Sequence, residues 1–307
     1  MDPGPADPST AAATSRRPYL AVFRAARRSV HRRILAEDPG RNWDCAVNWW
    51  QPPEDDGSPA PEELAFEGGH NKYDGFAAFF ARALREDWGY RYVLLADDDV
   101  YFRPGDLSRY FEICERQALR LSQPALRWGT HVNHVVTQWN PMARVRNVSF
   151  VEVMTPCFDA ATLRELVPTF GGSVSTFGID WAWGALLAGR SAIHVVDDIR
   201  VDHLRPVDWS GGPLYVKLKA MGVDAAAEMR EHQARYGGFG GIRTHRRGHV
   251  SRVLPGTAVG DGLVVAADRA IRLFQFLRDR AFRIKSRLLG RHVPAFPGDS
   301  GDRPPGS

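Results

Sequence analysis

The chain has 307 residues, of which 44% are hydrophobic and 25% charged, so it is long enough to bury a sizeable core in one large or two small domains. The formal net charge of +4 predicts a mild attraction to polyanions such as diphosphates or an anionic membrane surface, whereas no nucleic-acid partner is expected. The three cysteines are widely spaced and odd in number, which argues against a disulfide framework and against a cysteine zinc site.

Both ends of the chain have compositions that cannot bury apolar area. Residues 1–17 and 292–307 are rich in Pro, Gly, Ser and other small or polar residues, which predicts two disordered tails. The start lacks the apolar core of a secretory signal, and no segment approaches the roughly 20 apolar residues that cross a bilayer. These features predict a cytoplasmic protein, with a peripheral position on the inner face of the membrane as an alternative.

Between the tails, apolar runs of strand length alternate with segments of helical periodicity. The first three predicted strands are YLAVFRA, WDCAVNWW and YRYVLLADDDVYF. The first three predicted helices are ARRSVHRRILAE, GFAAFFARALRED and LSRYFEICERQALR. The alternation predicts an α/β domain over residues 18–235, with a mixed, mainly parallel sheet flanked by helices and a Rossmann-like nucleotide-binding half.

Two further segments follow this domain. Residues 236–261 are rich in Gly and Arg, which predicts a flexible linker. Residues 262–291 have apolar residues at helical spacing and a basic opposite face, which predicts a basic amphipathic helix. Such a helix can lie on an anionic membrane or dock on its own domain, and both interpretations remain open.

An acidic triplet ends one of the predicted strands. The apolar run YVLLA stops at Asp97, Asp98 and Asp99. Unit charges about 4 Å apart repel by ~1 kcal/mol in water and by ~4 kcal/mol at an effective dielectric of 20, so a positive partner is expected. Carboxylate oxygens favour Mg²⁺ or Mn²⁺, and ligands bind at the carboxyl ends of strands in such sheets. The alternative to a cation site is that the three aspartates form a solvated turn.

The strand followed by DDDV resembles the DxD motif of GT-A glycosyltransferases, including Fringe-like and β-1,3-galactosyltransferase enzymes. About two thirds of the chain is still more similar to the plant and bacterial domain of unknown function 707. The segments that carry this resemblance are GGHNKYDGFAAFFARAL, YRYVLLADDDVYF, LRLSQPAL, VSFVEVMTPCFD, FGIDWAWG and VVDDIRVDHLRP.

The resemblance implies an enzyme, a hexosyltransferase-like glycosyltransferase that moves a sugar from a nucleotide-diphosphate sugar to a hydroxyl of a carbohydrate or lipid-linked acceptor. It implies that Asp97 and Asp98 contact the donor, and that Asp97, Asp99 and His203 hold the cation. A surface or hydrogen-bonded structural histidine is the alternative for His203. An imidazole among carboxylates tilts the preference toward Mn²⁺. Asp180 matches the acidic position of similar enzymes and is the candidate general base, with a helix cap as the alternative.

Three other residues are candidates on chemical grounds. Lys72 follows paired glycines and precedes a helix, a position from which an ammonium group can meet a diphosphate. Trp181 and Trp183 offer aromatic faces on which an acceptor sugar can stack. A solvated lysine and core tryptophans are the ordinary alternatives.

Two other functions compete with glycosyl transfer. A haloacid-dehalogenase-type phosphohydrolase also places two aspartates after an apolar strand, but the residue two positions after Asp99 is Tyr101 rather than the usual Thr or Val. A non-catalytic module could keep a similar fold only to bind carbohydrate or nucleotide. The intact acidic triplet argues against this second alternative.

Overall fold

The computed structural model describes residues 16–26, 29–50, 63–66, 69, 71–85, 89–205, 213–238 and 240–288. Most of the two predicted tails therefore lies outside the described residues. The strands are β1 (Tyr19–Ala25), β2 (Trp43–Trp49), β3 (Glu63–Phe66), β4 (Tyr92–Asp97), β5 (Val100–Tyr101), β6 (Leu121–Leu126), β7 (Ala143–Asn147), β8 (Cys157–Asp159), β9 (Ile193–His203) and β10 (Val250–Ser251). The helices are α1 (His31–Glu37), α2 (Lys72–Arg85), α3 (Asp106–Arg116), α4 (Ala160–Leu166), α5 (Ile179–Leu186), α6 (Pro213–Ala220), α7 (Ala225–Tyr236) and α8 (Ala258–Leu288), and 3₁₀ turns span Val135–Thr137 and Val167–Thr169.

One mixed sheet forms the centre of the molecule, in the order β10-β7-β9-β6-β8-β4-β1-β2-β3, and β5 pairs separately with β9. The β4-β1-β2-β3 half is parallel throughout. β8 runs antiparallel to both β4 and β6, and β6 is parallel to β9. Strands β1, β4, β6 and β9 therefore all point the same way, so their carboxyl ends meet at one edge of the sheet.

Helices cover both faces of the sheet because its central strands are apolar on both sides. In β1, Tyr19, Ala21 and Phe23 belong to a core cluster with α1 and α3, whereas Leu20 and Val22 belong to a second cluster with α2, α4 and α5. The predicted fold class is confirmed: this is an α/β fold with a mixed sheet flanked by helices.

The C-terminal part differs from the expected order of linker and helix. The segment predicted as a linker, 236–261, contains β10, which pairs with β7 at the sheet edge. The long helix α8 begins at Ala258, before the predicted start at 262. Thr257 provides a reason for the early start, because its hydroxyl accepts a hydrogen bond from Gly260 N at 3.0 Å.

The first half of α8 docks on the domain. Val264 and Ile271 are buried, and the carboxylate of Asp268 lies 3.1 Å from the guanidinium of Arg146 on β7. Arg146 also contacts Asp197 at 2.7 Å, and both of these side chains are fully buried. Among the helices of the described ranges, none has an apolar stretch long enough to cross a bilayer.

Candidate functional site

The acidic triplet lies at the sheet edge where the parallel strands end. Asp97 is the last residue of β4, and Asp98 and Asp99 form the turn that leads into β5. Neighbouring segments hold this turn from both sides, because Asp98 O accepts a hydrogen bond from Val30 N and Asp99 O accepts one from Leu204 N, each at 3.0 Å. The three carboxylates therefore stand on a fixed backbone.

Positive side chains from three separate elements surround the triplet. Lys72, the first residue of α2, is nearly buried, and its Nζ donates to Asp97 Oδ1 at 2.8 Å. Arg205, just beyond β9, pairs with Asp98 and also with Asp99 Oδ2 at 3.1 Å. The sequence predicts that Lys72 binds a diphosphate. In this structure, its ammonium group is instead paired with Asp97, a residue that was also expected to contact the donor.

Arg24 adds a third positive charge to this group. It lies near the end of β1, and burial lowers the pKa of its guanidinium while Asp97, Asp74 and Asp98 act in the opposite direction. Three carboxylates and three cations thus offset one another in a partly buried space. The expected repulsion within the triplet is balanced by the protein itself.

The pKa values of the triplet reflect burial opposed by these partners. Burial raises the pKa of Asp97, and Lys72 counteracts the rise. Burial also raises the pKa of Asp98 to about 6, against the effect of the Arg205 guanidinium. A carboxylate with such a pKa binds a cation more readily than a proton only near neutral pH and above.

The structure brings two of the three expected metal ligands together. Asp99 Oδ2 lies 3.5 Å from His203 Nε2 and also pairs with Arg205, whereas Asp97 is paired with Lys72 and does not contact His203. His203 Nδ1 lies 3.1 Å from His131 O, so a ring protonated at Nδ1 donates to this carbonyl and leaves Nε2 free for a metal. Asp98 Oδ2 is buried and has no hydrogen-bond partner among the described residues.

The carboxylate and imidazole groups fit Mg²⁺ or Mn²⁺ in a coordination shell that a phosphate ligand completes. In the described part of the chain, no three or more His, Cys, Asp or Glu side chains are arranged to hold a metal ion by themselves. Mg²⁺ is commonly bound by one or two carboxylates, with water and substrate phosphate oxygens completing the shell. Asp99 and His203 offer one carboxylate and one imidazole toward such a shell.

Asp180 lies in the first turn of α5 and is almost completely buried. Its Oδ1 accepts a hydrogen bond from Trp181 N at 3.0 Å, and the backbone N–H of Val153 donates to its carboxylate as well. Burial raises the pKa of Asp180 to about 6; His134 lowers this pKa and Glu152 raises it. A carboxyl group with this pKa can take up and release a proton near neutral pH.

One short segment connects Asp180 with the triplet. Val153, which donates to Asp180, accepts a hydrogen bond from the Tyr73 hydroxyl through its carbonyl at 2.7 Å. The next residue, Met154, accepts a hydrogen bond from Asp97 N at 2.9 Å. The candidate base and the acidic triplet therefore flank the same two residues of the turn before β8.

Four residues of this site were missed or left without a role by the sequence analysis: Arg24, His134, Glu152 and Arg205. Glu152 is buried and accepts hydrogen bonds from Thr137 Oγ1 at 2.9 Å and Asn133 Nδ2 at 3.3 Å. Arg205 had the clearest available signal, since it follows His203 by two residues in the HLRP segment. Arg24 had only its position at a strand end.

The two tryptophans expected to bind the acceptor have different environments. Trp183 is fully buried among aromatic rings, and its Nε1 donates to Thr169 Oγ1 at 2.9 Å. A ring without exposed surface cannot stack on a sugar, so the expectation for Trp183 is corrected: it is a core residue. Trp181 is only partly buried and packs against Phe150, with ring centroids 6.5 Å apart. Its acceptor contact stays a prediction.

No protein-family model matches the chain, and no curated protein matches it. The resemblance to the domain of unknown function 707 therefore stays an expectation. Among solved structures, the chain is similar to GalNAc-T7 crystallised with UDP, GalNAc and Mn²⁺, at 9% identity and a TM-score of 0.43 over 70% of this chain and 50% of that one. It is also similar to residues 1–349 of S. aureus TarS in complex with UDP-GlcNAc, at 10% identity and a TM-score of 0.42 over 71% and 73% of the two chains.

The chain spans about half the length of the GalNAc-T7 chain. Likenesses of this size carry no argument about activity. The α/β fold class follows from the order and direction of this chain's own strands.

Proposed function

We propose that the chain is a GT-A-like, metal-dependent glycosyltransferase that transfers a sugar from a nucleotide-diphosphate donor to a hydroxyl acceptor. The observation that carries this proposal is the cluster of Asp97, Asp98 and Asp99 at the carboxyl edge of the sheet, with Asp180 on the other side of Val153 and Met154. Diphosphate chemistry needs the cluster, and acceptor deprotonation needs the separate carboxylate.

The positive side chains around the triplet suit the diphosphate of the donor. Lys72, Arg24 and Arg205 supply three charges, and Arg205 is half exposed, so it can turn from its carboxylate partners toward a phosphate. A guanidinium binds phosphate oxygens through paired hydrogen bonds. In this proposal, Asp97 and Asp98 bind the donor indirectly, because they orient the lysine and arginine side chains that contact its diphosphate.

Asp99 and His203 are the residues that would hold the divalent ion. When bound, Mn²⁺ or Mg²⁺ supplies Lewis-acid stabilisation of charge on the leaving diphosphate. The protein contributes the fixed turn behind Asp99 and the His131 carbonyl that orients the imidazole. We propose that Asp97 is not a direct ligand of the divalent ion. It influences the ion only through its neighbours Asp99 and Lys72.

Asp180 is the proposed general base. Its pKa of about 6 leaves it ionised at neutral pH, while burial keeps it basic enough to accept the proton of an attacking hydroxyl. A base on the acceptor side corresponds to an inverting reaction. Trp181 borders this carboxylate through its backbone N–H and is the proposed contact for a carbohydrate or lipid-linked acceptor. The cytoplasmic location predicted from the sequence stays a prediction.

Nucleotide binding provides the first test. Thermal unfolding is measured with UDP and GDP, each with and without Mn²⁺, on the wild type, on Asp99→Asn and on Glu165→Gln. Glu165 is a matched control, because it is an ion-paired carboxylate on α4 outside the site. We expect one nucleotide to raise the unfolding temperature only with metal, and Asp99→Asn alone to abolish the effect. Absence of any nucleotide response in the wild type contradicts the proposal.

Turnover separates the enzyme from the two alternatives. Wild type and Asp180→Asn are incubated with the donor sugars of the responding nucleotide, and release of free nucleotide is followed. We expect Asp180→Asn to keep metal-dependent nucleotide binding and to lose release of nucleotide by about 100-fold or more. Binding without turnover in the wild type supports the non-catalytic module, and release of inorganic phosphate from phosphate esters supports the phosphohydrolase.

A further inference from the structure

A cleft outside the candidate active site lies between α8 and the segment that precedes β10. Its volume is about 430 Å³. Its lining includes Thr244, Asp268 and the arginines Arg243, Arg246, Arg269 and Arg272. The segment 242–246 is held against the sheet, since Ser149 N donates to Arg243 O at 3.0 Å and His245 N donates to Asn147 O at 3.0 Å. One wall of the cleft is therefore fixed by backbone hydrogen bonds to the end of β7 and to the segment that follows it.

The lining of this cleft is strongly positive. Four arginines face one carboxylate, Asp268. Asp268 is already engaged, because Oδ1 lies 3.1 Å from Arg146 Nη1 and Oδ2 lies 2.8 Å from Arg272 Nε. It does not offset Arg269 or Arg246, which are exposed. Several guanidinium groups around one concavity are typical of sites for phosphate.

Two buried polar atoms of the cleft have no hydrogen-bond partner among the described residues. They are Thr244 Oγ1 and Arg272 Nη2. A buried donor without a partner costs free energy comparable to a lost hydrogen bond, so its position calls for an explanation. A hydroxyl and a guanidinium N–H are both donors to phosphate oxygens, and both atoms belong to residues that line the cleft.

The same helix presents an apolar face next to the cleft. Leu273, Phe276 and Leu277 are 58%, 55% and 54% exposed. Arg269, Leu273 and Phe276 are spaced i, i+4 and i+7, so they share one side of α8. This face is opposite to the buried stripe that contains Ile271. An arginine-lined cleft beside exposed leucine and phenylalanine matches a lipid, whose headgroup is charged and whose chains are apolar.

We propose that this cleft binds the phosphate group of an anionic membrane lipid, and that the exposed face of α8 inserts into the interfacial layer of the membrane. A second copy of the chain would bring a second set of arginines to the first, so the charge of the surface favours an anionic partner. This inference does not depend on the reaction at the acidic triplet.

Vesicle binding by the full chain tests the proposal. Co-sedimentation is measured with phosphatidylcholine vesicles, with vesicles containing phosphatidic acid, and with vesicles whose equal negative charge comes from oleate. The variants are Arg269→Ala in the cleft and Phe276→Ser on the apolar face. Their matched controls are Arg230→Ala on α7 and Val216→Ser on α6, which are also exposed on helices. Unfolding temperatures check that all variants fold.

We expect binding to phosphatidic acid vesicles, with much weaker binding to oleate and phosphatidylcholine vesicles. Arg269→Ala should weaken binding about fivefold, the loss expected for one arginine at an anionic surface, and Phe276→Ser should weaken it by a similar factor. The two controls should not change it. Equal binding to all three vesicles, or equal effects of Arg269→Ala and Arg230→Ala, overturns the proposal.

Inorganic phosphate distinguishes a lipid from a soluble phosphate ligand. Phosphate should compete with phosphatidic acid vesicles in the wild type and not alter the residual binding of Arg269→Ala. If inorganic phosphate stabilises the protein but no vesicle binds, the ligand is a soluble phosphate compound and the proposal of a membrane lipid is overturned. Self-association through the α8 face, seen as a concentration-dependent dimer that Phe276→Ser abolishes, also overturns it.

Discussion

Lys72 Nζ donates a hydrogen bond to Asp97 Oδ1 over 2.8 Å, which links the first turn of α2 to the end of β4. The Lys72 side chain is 6% exposed, whereas the Asp97 side chain is 37% exposed. Asn71 sets the position of Lys72, because its Oδ1 accepts hydrogen bonds from Tyr73 N at 2.7 Å and Asp74 N at 3.0 Å. The positive charge at the triplet is thus fixed by a helix start.

Replacement of this lysine tests its role at the triplet. Lys72→Met leaves Asp97 beside Asp99 without its neutralising partner. We expect a loss of about 1–2 kcal/mol in the free energy of unfolding, less than for a fully buried pair because the carboxylate reaches solvent. Nucleotide affinity should fall as well. Urea unfolding and calorimetric titration measure the two effects, and unchanged values for both would show that the contact has no role.

The pKa of Asp180 predicts an unusual dependence of stability on pH. Its folded-state pKa of about 6 is above the ordinary 3.8, so the folded protein holds this proton more tightly than the unfolded chain does. The resulting stabilisation is complete below about pH 4 and is lost as the pH rises through about 6. At pH 8 the ionised group costs about 2–3 kcal/mol relative to its neutral form.

Asp180→Asn removes this cost, since the group can no longer ionise and an amide oxygen can still accept from Trp181 N. We expect the variant to be more stable than the wild type by about 1–3 kcal/mol at pH 8 and to lose this advantage at pH 4. Urea unfolding at both pH values measures the difference. Parallel pH profiles for the two proteins would contradict a raised pKa at this position.

Arg205 competes with a metal ion for the same carboxylates. Arg205→Gln removes a guanidinium that contacts Asp98 and Asp99, so we expect Mn²⁺ to bind the nucleotide-free protein several-fold more tightly, a change of about 1 kcal/mol. Affinity for the nucleotide in the presence of Mn²⁺ should fall, because a phosphate partner is lost. Calorimetric titrations with Mn²⁺ alone and with nucleotide separate the two effects; weaker binding of Mn²⁺ alone would refute competition.

Two arginines on β7 give a matched pair for the docking of α8. Arg146 is fully buried with Asp197 and Asp268, whereas Arg144 is exposed and pairs with Asp198 at 3.3 Å. Arg146→Met should cost about 3–5 kcal/mol and should make α8 sensitive to limited proteolysis. Arg144→Ala should cost less than about 1 kcal/mol. Equal costs in urea unfolding would show that the buried network does not hold the helix.

The prediction of a carbohydrate-facing pair of tryptophans shows where sequence patterns are insufficient. Trp181 and Trp183 have the same residue type and nearly the same local sequence. Their difference arises because α5 turns about 200° between them, which directs Trp183 into the cluster of Tyr73 and Phe158. Which face of the helix meets the sheet depends on the packing of distant segments.

The sequence by itself determined the α/β class, the strand that ends in the acidic triplet, and the basic amphipathic helix at the C-terminal end. Each depends on the spacing of residues within a short stretch, which periodicity reveals. Only the tertiary structure decided which cations reach the triplet. Asp98 and Arg205 are 107 positions apart and meet because β4 and β9 point the same way and end at one edge of the sheet. Strand order and direction arise from packing across the whole chain, so no local pattern encodes this contact.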